Sequence, residues 1–192
     1  MKRVFVLSGK QGSGKTTYAK YLQAMLGTDN TKIFKFAEPL YAIHDRCLPV
    51  LKELGIRPKE MEKDGELLQV LGTEYGRKRL GENVWVYALL RKIHPWVTAS
   101  EMNFAIIDDC RFENEFDALK EDAYMIRLQA SEDVRKERCS YWREDVNHIS
   151  ETGLDAYAHT LKFDVIINTD YNDPKDRVES LLRHLKRTGF IE

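Results

Sequence analysis

The sequence predicts an α/β fold in which helices cover both faces of a parallel β-sheet. Five short apolar runs have the length of buried strands, namely Val4–Leu7, Ile33–Phe36, Phe104–Ile107, Tyr124–Leu128 and Phe163–Ile167. Helical patterns separate these runs, and this alternation is typical of parallel sheets. The 192 residues are enough for one such domain with a sizeable core, and too few for two comfortable ones.

The first strand leads into a glycine-rich loop and then into a helix. Residues 9–16 read GKQGSGKT and match G-x-x-x-x-G-K-[ST] throughout. Apolar residues at helical spacing continue to Leu26, and Gly27 is a suitable C-cap. Strand, glycine-rich loop and helix together favour a phosphate-binding loop (P-loop) over a chance glycine-rich turn.

A P-loop binds a nucleoside triphosphate through backbone N–H groups and a helix N-terminus that surround the phosphates. We expect Lys15 to reach the β- and γ-phosphates and the Thr16 hydroxyl to bind Mg²⁺. The residues predicted to bind ATP are Gly9, Gly12, Ser13, Gly14, Lys15, Thr16 and Thr17.

The third apolar run ends in two acids, Asp108 and Asp109. Ligands of open parallel sheets bind beyond the C-terminal strand ends, so an acid there can lie near the P-loop and hold Mg²⁺. Successive strand residues point to opposite faces, and the sequence leaves open which acid faces the phosphates. Arg111 follows and could bind an anion through two guanidinium nitrogens. The alternative is an ordinary loop acid at a strand end.

Arginines are concentrated in the fourth strand, its helix and the polar stretch that follows. They are Arg127, Arg135, Arg138 and Arg143. Phosphoryl transfer requires positive charge around the γ-phosphate oxygens, which arginines supply. Acids interleaved in the helix Glu132–Ser140, which Ser131 could cap, make a solvated surface the alternative for any single arginine. A last helix is predicted from Pro174 to Lys186.

Bulk properties exclude several classes of protein. The net charge of −1 gives no field that would attract nucleic acid or an anionic membrane. No apolar run approaches the ~20 residues of a membrane span, and the first strand begins at once, so we expect no signal peptide. The three cysteines lack metal or disulfide spacing, which indicates reduced thiols. We therefore expect a soluble cytoplasmic protein.

Four further segments accompany the P-loop in order along the chain. They are 36–40 (FAEPL), 71–77 (LGTEYGR) with Trp85, 109–115 (DCRFENE) and 148–151 (HISE). With these segments the chain resembles the bacteriophage deoxynucleoside monophosphate kinases of the P-loop nucleoside monophosphate kinase superfamily. The P-loop is shared by many NTPases, whereas D-x-R-F-x-N-E and G-T-E-x-G-R are much more specific.

The resemblance implies a three-layer P-loop NTPase fold in one domain, residues 1–192. Its five-stranded parallel sheet would carry a helical acceptor-binding insertion at 38–100 and a short lid at 138–160. The implied enzyme uses ATP with Mg²⁺ to phosphorylate deoxynucleoside 5′-monophosphates for DNA synthesis, in the cytoplasm of a phage-infected cell. Catalysis would fall to Lys15, Asp109, Arg138 and Arg143, metal binding to Thr16 and Asp109, and acceptor binding to Phe36, Arg77, Trp85, Arg111 and Glu151.

The chain departs from the family pattern at three positions. Glu38 stands where aspartate is common, Tyr41 where lysine often follows, and Glu113 where proline often sits. These departures leave acceptor specificity open. The sequence does not decide the choice of base and sugar either, or whether the helices of the insertion form a homodimer. The alternatives are a kinase of another small molecule, such as dephospho-coenzyme A or phosphomevalonate, and a P-loop ATPase module without a small acceptor.

Overall fold

The computed structural model describes residues 3–139, 142, 149–160, 162–171 and 173–191. The chain divides into two compact units. The larger unit comprises Met1–Lys35 and Ile93–Glu192, and the smaller one comprises Phe36–Lys92. The smaller unit takes up most of the span for which the sequence predicts a helical insertion.

The larger unit contains a five-stranded sheet in which every pairing is parallel. The strands are β1 (Val4–Ser8), β2 (Thr31–Phe34), β3 (Phe104–Cys110), β4 (Ala123–Gln129) and β5 (Val165–Asn168). Their order across the sheet is β2-β3-β1-β4-β5. The predicted five-stranded parallel sheet is confirmed, and the central strand is the one that leads into the P-loop.

Both faces of this sheet are covered, because the side chains on both faces of β1 are buried. Phe5 and Val6 point to opposite faces, and both have no exposed surface. The Phe5 face packs against helices α1 (Lys15–Leu26) and α9 (Pro174–Arg187). Helix α9 begins where the sequence predicts, with the Asp173 side chain accepting a hydrogen bond from the Lys175 N–H at 2.8 Å.

Two predicted strands have the wrong bounds. We expected strands at Ile33–Phe36 and Phe163–Ile167, whereas β2 begins two residues earlier than predicted and β5 begins two residues later. The reason is that Phe36 and Phe163 are buried outside the hydrogen-bonded ladder, at 3% and 6% exposure. An apolar run therefore marks burial, and the strand itself ends where the pairing ends.

The remaining helices of the larger unit are short. They are α5 (Glu113–Asp117), α6 (Glu132–Arg138), α7 (Ile149–Thr152) and α8 (Asp155–His159). Ser131 precedes α6, but its hydroxyl bonds to Asp170 and makes no capping bond to the helix. Within the part of the chain that the structure describes, no helix has the length and apolarity needed to cross a membrane.

The smaller unit is helical and contains a segment of π-helix. Helices α2 (Glu38–Glu53) and α3 (Gly65–Gln69) are followed by the π-helix Val70–Leu80 and by the first part of α4 (Val84–Ala99). The wide turn is visible where the Gly81 N–H donates to the Gly76 carbonyl, five residues back, at 3.2 Å. The sequence predicted an ordinary helix here.

Candidate functional site

The P-loop joins the C-terminal end of β1 to the first turn of α1. Gly14 caps this helix in the left-handed conformation, with φ of 91°. Ser13 is buried, whereas Thr16 and Thr17 are exposed on the first turn of α1. The predicted ATP-binding residues therefore lie together at the carboxyl edge of the sheet, where ligands of parallel sheets bind.

Lys15 is buried against the loop that precedes it. Its ammonium group donates to the carbonyls of Gly9 at 2.7 Å and Lys10 at 2.8 Å. Burial and the charge of Arg111 lower the pKa of Lys15 to about 7, against the opposing effect of Glu151. A bound triphosphate would offer this ammonium group stronger, anionic acceptors.

The acid that contacts the P-loop is Asp108. Its Oδ2 accepts a hydrogen bond from the Thr16 hydroxyl at 2.9 Å, and its side chain is fully buried. Because neighbouring strand residues face opposite ways, Asp109 points to the other face of β3. The structure thus brings Asp108, and not the predicted Asp109, against Thr16. The other oxygen of Asp108 pairs with Lys35 at 2.5 Å, a residue that sequence reasoning missed.

The donor atoms of Thr16 and Asp108 suit Mg²⁺. A hydroxyl and a carboxylate are hard oxygen ligands, which this ion prefers. Among the described residues, no group of three or more His, Cys, Asp or Glu could hold a metal ion by itself. Mg²⁺ bound by Thr16 and Asp108 alone would take most of its ligands from phosphates and water.

Arg111 and the P-loop converge on one carboxylate. Glu151, on α7, accepts from the Gln11 N–H at 2.7 Å and pairs with the guanidinium of Arg111. Burial alone would raise the pKa of Glu151, but the Arg111 charge and the Gln11 N–H hold it below its usual value. A P-loop N–H and an arginine thus already bind an anionic group, with Lys15 close enough to act on it.

Glu115 positions the backbone of Arg111, a role that the sequence analysis did not predict for it. It is 2% exposed, and its Oε2 accepts from the N–H groups of Arg111 at 2.9 Å and Phe112 at 3.2 Å. It occupies the third position of α5, where an acid that bonds back to the preceding N–H groups is common. The sequence signal for this role was the position of the last glutamate in D-x-R-F-x-N-E, three residues after the phenylalanine that precedes the helix.

Arg127 is held in a buried network. Its guanidinium donates to the Ser8 hydroxyl at 2.9 Å and to Asp155 at 2.6 Å, and the same Asp155 carboxylate pairs with Lys10 at 2.8 Å. Burial lowers the pKa of Arg127, and Asp155 opposes this effect. Arg127 therefore ties the start of the P-loop to α8 through Asp155.

The lid arginines of the sequence prediction have different outcomes. Arg138 donates to the Thr169 carbonyl at 2.7 Å, and the Thr169 hydroxyl donates to the Ser13 carbonyl at 3.2 Å. Arg138 thus lies at the end of β5, one residue away from the P-loop. Arg143 and His148 lie outside the described residues.

A polar cavity of about 380 Å³ opens beside the P-loop, beyond the ends of β4 and β5. Its lining includes Lys10, Ser13, Arg127, Gln129, Arg135 and Asn168. Within the described chain, Ser13 Oγ, Arg127 Nε and Arg135 Nε are buried without a hydrogen-bond partner. Buried polar atoms are nearly always satisfied, so these atoms mark where a ligand or water should bond.

Three predicted acceptor residues belong to the smaller unit. Phe36 is buried, and Arg77, on the π-helix, donates to the Glu82 carbonyl at 3.3 Å. Trp85 is 7% exposed, and its indole N–H donates to the Gly72 carbonyl at 2.9 Å. We expected Trp85 to flank the acceptor base or sugar, and the structure gives it the packing of a core side chain.

Comparisons of the sequence with known proteins found a family and a relative. A family model described as an AAA domain matches residues 6–151. The deoxynucleoside-5′-monophosphate kinase of Escherichia phage T5 is 30% identical over 144 residues, which are 70% of this chain and 51% of that protein. The chain thus spans about half the length of this relative. The match confirms the resemblance predicted from the motifs.

Solved structures share the fold. The shikimate kinase of Acinetobacter baumannii, in complex with shikimate, has a TM-score of 0.57 at 12% identity, covering 98% of this chain and 94% of its own. The dephospho-CoA kinase of Campylobacter jejuni has a TM-score of 0.55 at 17% identity, covering 98% of this chain and 100% of its own. The predicted P-loop NTPase fold is confirmed.

Proposed function

This chain belongs to the AAA domain family, and from that premise we propose that it transfers the γ-phosphoryl group of ATP to a deoxynucleoside 5′-monophosphate. The observation that carries the proposal is the anion site formed by the Gln11 N–H, Arg111 and Lys15 around the Glu151 carboxylate. A site that already holds a carboxylate can hold a phosphate oxygen with the same donors.

Direct phosphoryl transfer needs positioning and charge neutralisation more than an enzyme nucleophile. Lys15 and the P-loop N–H groups would bind the donor phosphates, and Arg111 would bind the acceptor phosphate. Thr16 and Asp108 would hold Mg²⁺, which supplies charge neutralisation at the phosphate oxygens when bound. Glu115 would keep the Arg111 backbone in place during transfer.

The acceptor residues of the smaller unit remain part of the proposal. Arg77 is proposed as a second acceptor-phosphate ligand and Phe36 as a residue beside the acceptor. Trp85 is proposed to act through packing, because it supports the turn that precedes Arg77. Support for a deoxynucleotide as the acceptor is the 30% identity to the phage T5 enzyme.

The polar cavity beside the P-loop is proposed to hold the remainder of the donor nucleotide. Gln129 and Asn168 line it and offer amide donors and acceptors. The buried nitrogens of Arg127 and Arg135 would find acceptors there. In this proposal the phosphates of ATP bind the P-loop and its base lies toward the ends of β4 and β5.

The test is ADP formation from ATP and Mg²⁺ with each dNMP and NMP separately. We expect activity that requires at least one dNMP and is absent without an acceptor. Dephospho-coenzyme A, phosphomevalonate and shikimate serve as competing acceptors, since kinases of such small molecules are the main alternative. Activity with one of them alone would replace the dNMP proposal, and ADP formation without any acceptor would favour a P-loop ATPase module.

A further inference from the structure

We propose that Lys35 is a built-in counter-cation of the metal-site carboxylate, so that a divalent cation binds this protein only together with a triphosphate. The inference rests on the proposed function for its metal site. It concerns a residue that belongs to none of the motifs discussed above.

The Asp108 carboxylate is bonded through both of its oxygens, to one hydroxyl and one ammonium group. Asp108 is fully buried, and its two oxygens are both occupied, Oδ2 by the Thr16 hydroxyl at 2.9 Å and Oδ1 by the Lys35 ammonium at 2.5 Å. Lys35 follows the last residue of β2, and β2 pairs with β3, the strand that carries Asp108. The sheet register therefore fixes the contact between Lys35 and Asp108.

The charges explain why this pairing matters. The charges of Asp108 and Lys35 sum to zero. Lys15, whose pKa of about 7 leaves it partly protonated at neutral pH, lies close enough for that pKa to respond to Asp108. A divalent cation approaching Thr16 would meet a neutral ion pair with a further cation nearby. Repulsion between like charges is strong in a partly buried site, so Lys35 and Lys15 should make a divalent cation bind weakly in the absence of nucleotide.

A triphosphate reverses this balance. Its phosphates bring several negative charges to the P-loop, which Lys15 and a divalent cation can share. The Lys35 ammonium group can then remain on Asp108 or turn toward a phosphate oxygen. The Lys35 side chain is 38% exposed, so solvent leaves space for this movement. The metal would accordingly enter as a complex with the nucleotide.

The experiment measures Mn²⁺ binding to the nucleotide-free protein by electron paramagnetic resonance. Wild type should bind Mn²⁺ weakly, and Lys35→Met should bind it about tenfold tighter or better because Asp108 loses its counter-cation. Lys35→Arg keeps the charge and should behave as wild type. Lys20→Met, which removes an exposed lysine of α1, is the matched control and should change nothing.

A second measurement guards against a folding defect. Lys35→Met leaves a buried carboxylate unpaired and should lower the thermal unfolding midpoint, and millimolar Mg²⁺ should raise that midpoint in Lys35→Met but not in wild type. Adding Asp108→Asn to Lys35→Met should abolish both the Mn²⁺ and the Mg²⁺ effects. Equal Mn²⁺ affinity in wild type and Lys35→Met, or a Lys35→Met protein that Mg²⁺ does not stabilise, would overturn the proposal.

The outcome is independent of the acceptor. Because neither measurement contains a nucleotide, an enzyme that rejected every dNMP could still show the Lys35 effect. Conversely, a dNMP kinase whose metal affinity is unchanged in Lys35→Met would retain the proposed function and lose this inference.

Discussion

Gly12 in the P-loop and Gly76 in the π-helix both lie where a Cβ atom would clash with a neighbour, but the neighbours differ in kind. Gly12 has a φ of 78°, and a Cβ there would meet the Arg135 carbonyl at 2.5 Å. Gly76 has no unusual φ, and a Cβ there would lie 2.3 Å from the Trp85 ring. The first glycine shapes backbone around a ligand site, whereas the second makes room for a side chain.

This difference separates two kinds of sequence motif. The P-loop glycines keep backbone N–H groups available to phosphate, so altering them should affect ligand binding. In L-G-T-E-Y-G-R, Gly76 leaves room for Trp85 and Gly72 lies against Leu40, so altering either glycine should affect the stability of the smaller unit. A motif that is specific to one family therefore need not contact the substrate. Variants in the P-loop and in the smaller unit can separate a role in ligand binding from a role in stability.

The largest effect is expected at Lys15. Lys15→Ala removes the ammonium group that would neutralise the transferred phosphoryl group, and kcat should fall by about 10²–10³-fold or more. Circular dichroism and the thermal midpoint should show that the fold survives, with Lys20→Ala as the control. Near-normal turnover by Lys15→Ala would exclude the proposed phosphoryl transfer at this loop.

Gly12→Ala should weaken ATP binding about tenfold or more, because strain at a positive φ and the clash with Arg135 both distort the loop. Isothermal titration calorimetry with ATP and Mg²⁺ measures this. Gly27→Ala offers a control, since Gly27 also has positive φ but a Cβ there would meet nothing within 4 Å. If the two variants bind ATP equally well, the close contact at Gly12 has no functional role.

Gly76→Ala should lower the free energy of unfolding by about 1–3 kcal/mol through overpacking against Trp85. ATP affinity should stay near the wild-type value, the reverse of the result at Gly12. Urea unfolding measures the change, and adding Trp85→Leu to Gly76→Ala should recover part of the loss that the alanine causes in the wild-type background. No coupling between the two substitutions would refute the packing role of the glycine.

The smallest effect concerns the pH dependence of the smaller unit. Burial would raise the pKa of Asp64, but hydrogen bonds from Arg57 and from the Leu67 N–H outweigh it and lower the pKa below the ordinary value. Because the folded pKa is the lower one, this contribution to stability is complete above the unfolded pKa and is lost as the pH falls through the folded value.

The measurement is urea unfolding of wild type and Asp64→Asn between pH 7 and pH 3. The difference in free energy of unfolding should be largest near neutral pH and should shrink in acid. A difference that stays constant over this range would show that the Asp64 charge contributes nothing to stability.

The sequence predicted those features whose determining residues are close together along the chain. The P-loop could be predicted because strand, glycines, lysine and helix are contiguous, and helix α9 because its cap and apolar spacing are local. Asp108 could not be separated from Asp109, since the register of β3 against β1 decides which one faces Thr16. The Lys35–Asp108 pair joins residues 73 positions apart, so only the sheet reveals it.

The insertion was least predictable. Its helical character followed from apolar spacing, but the π-helix did not, because apolar spacing does not encode the five-residue register of its hydrogen bonds. The Trp85 indole, which bonds to the Gly72 carbonyl, contacts this segment from outside it. The role of Trp85 was transferred by resemblance, and nothing in the spacing distinguishes a stacking indole from a packed one.

The central position of β1 has a consequence for how the chain folds during synthesis. β1 precedes its partners along the chain, and they begin only at Phe104 and Ala123, about a hundred residues later. The loop that follows β1 consequently has no sheet on either side until β3 and β4 have been synthesised. Long-range pairing of this kind slows folding, and it makes the nucleotide site one of the last parts of the molecule to form.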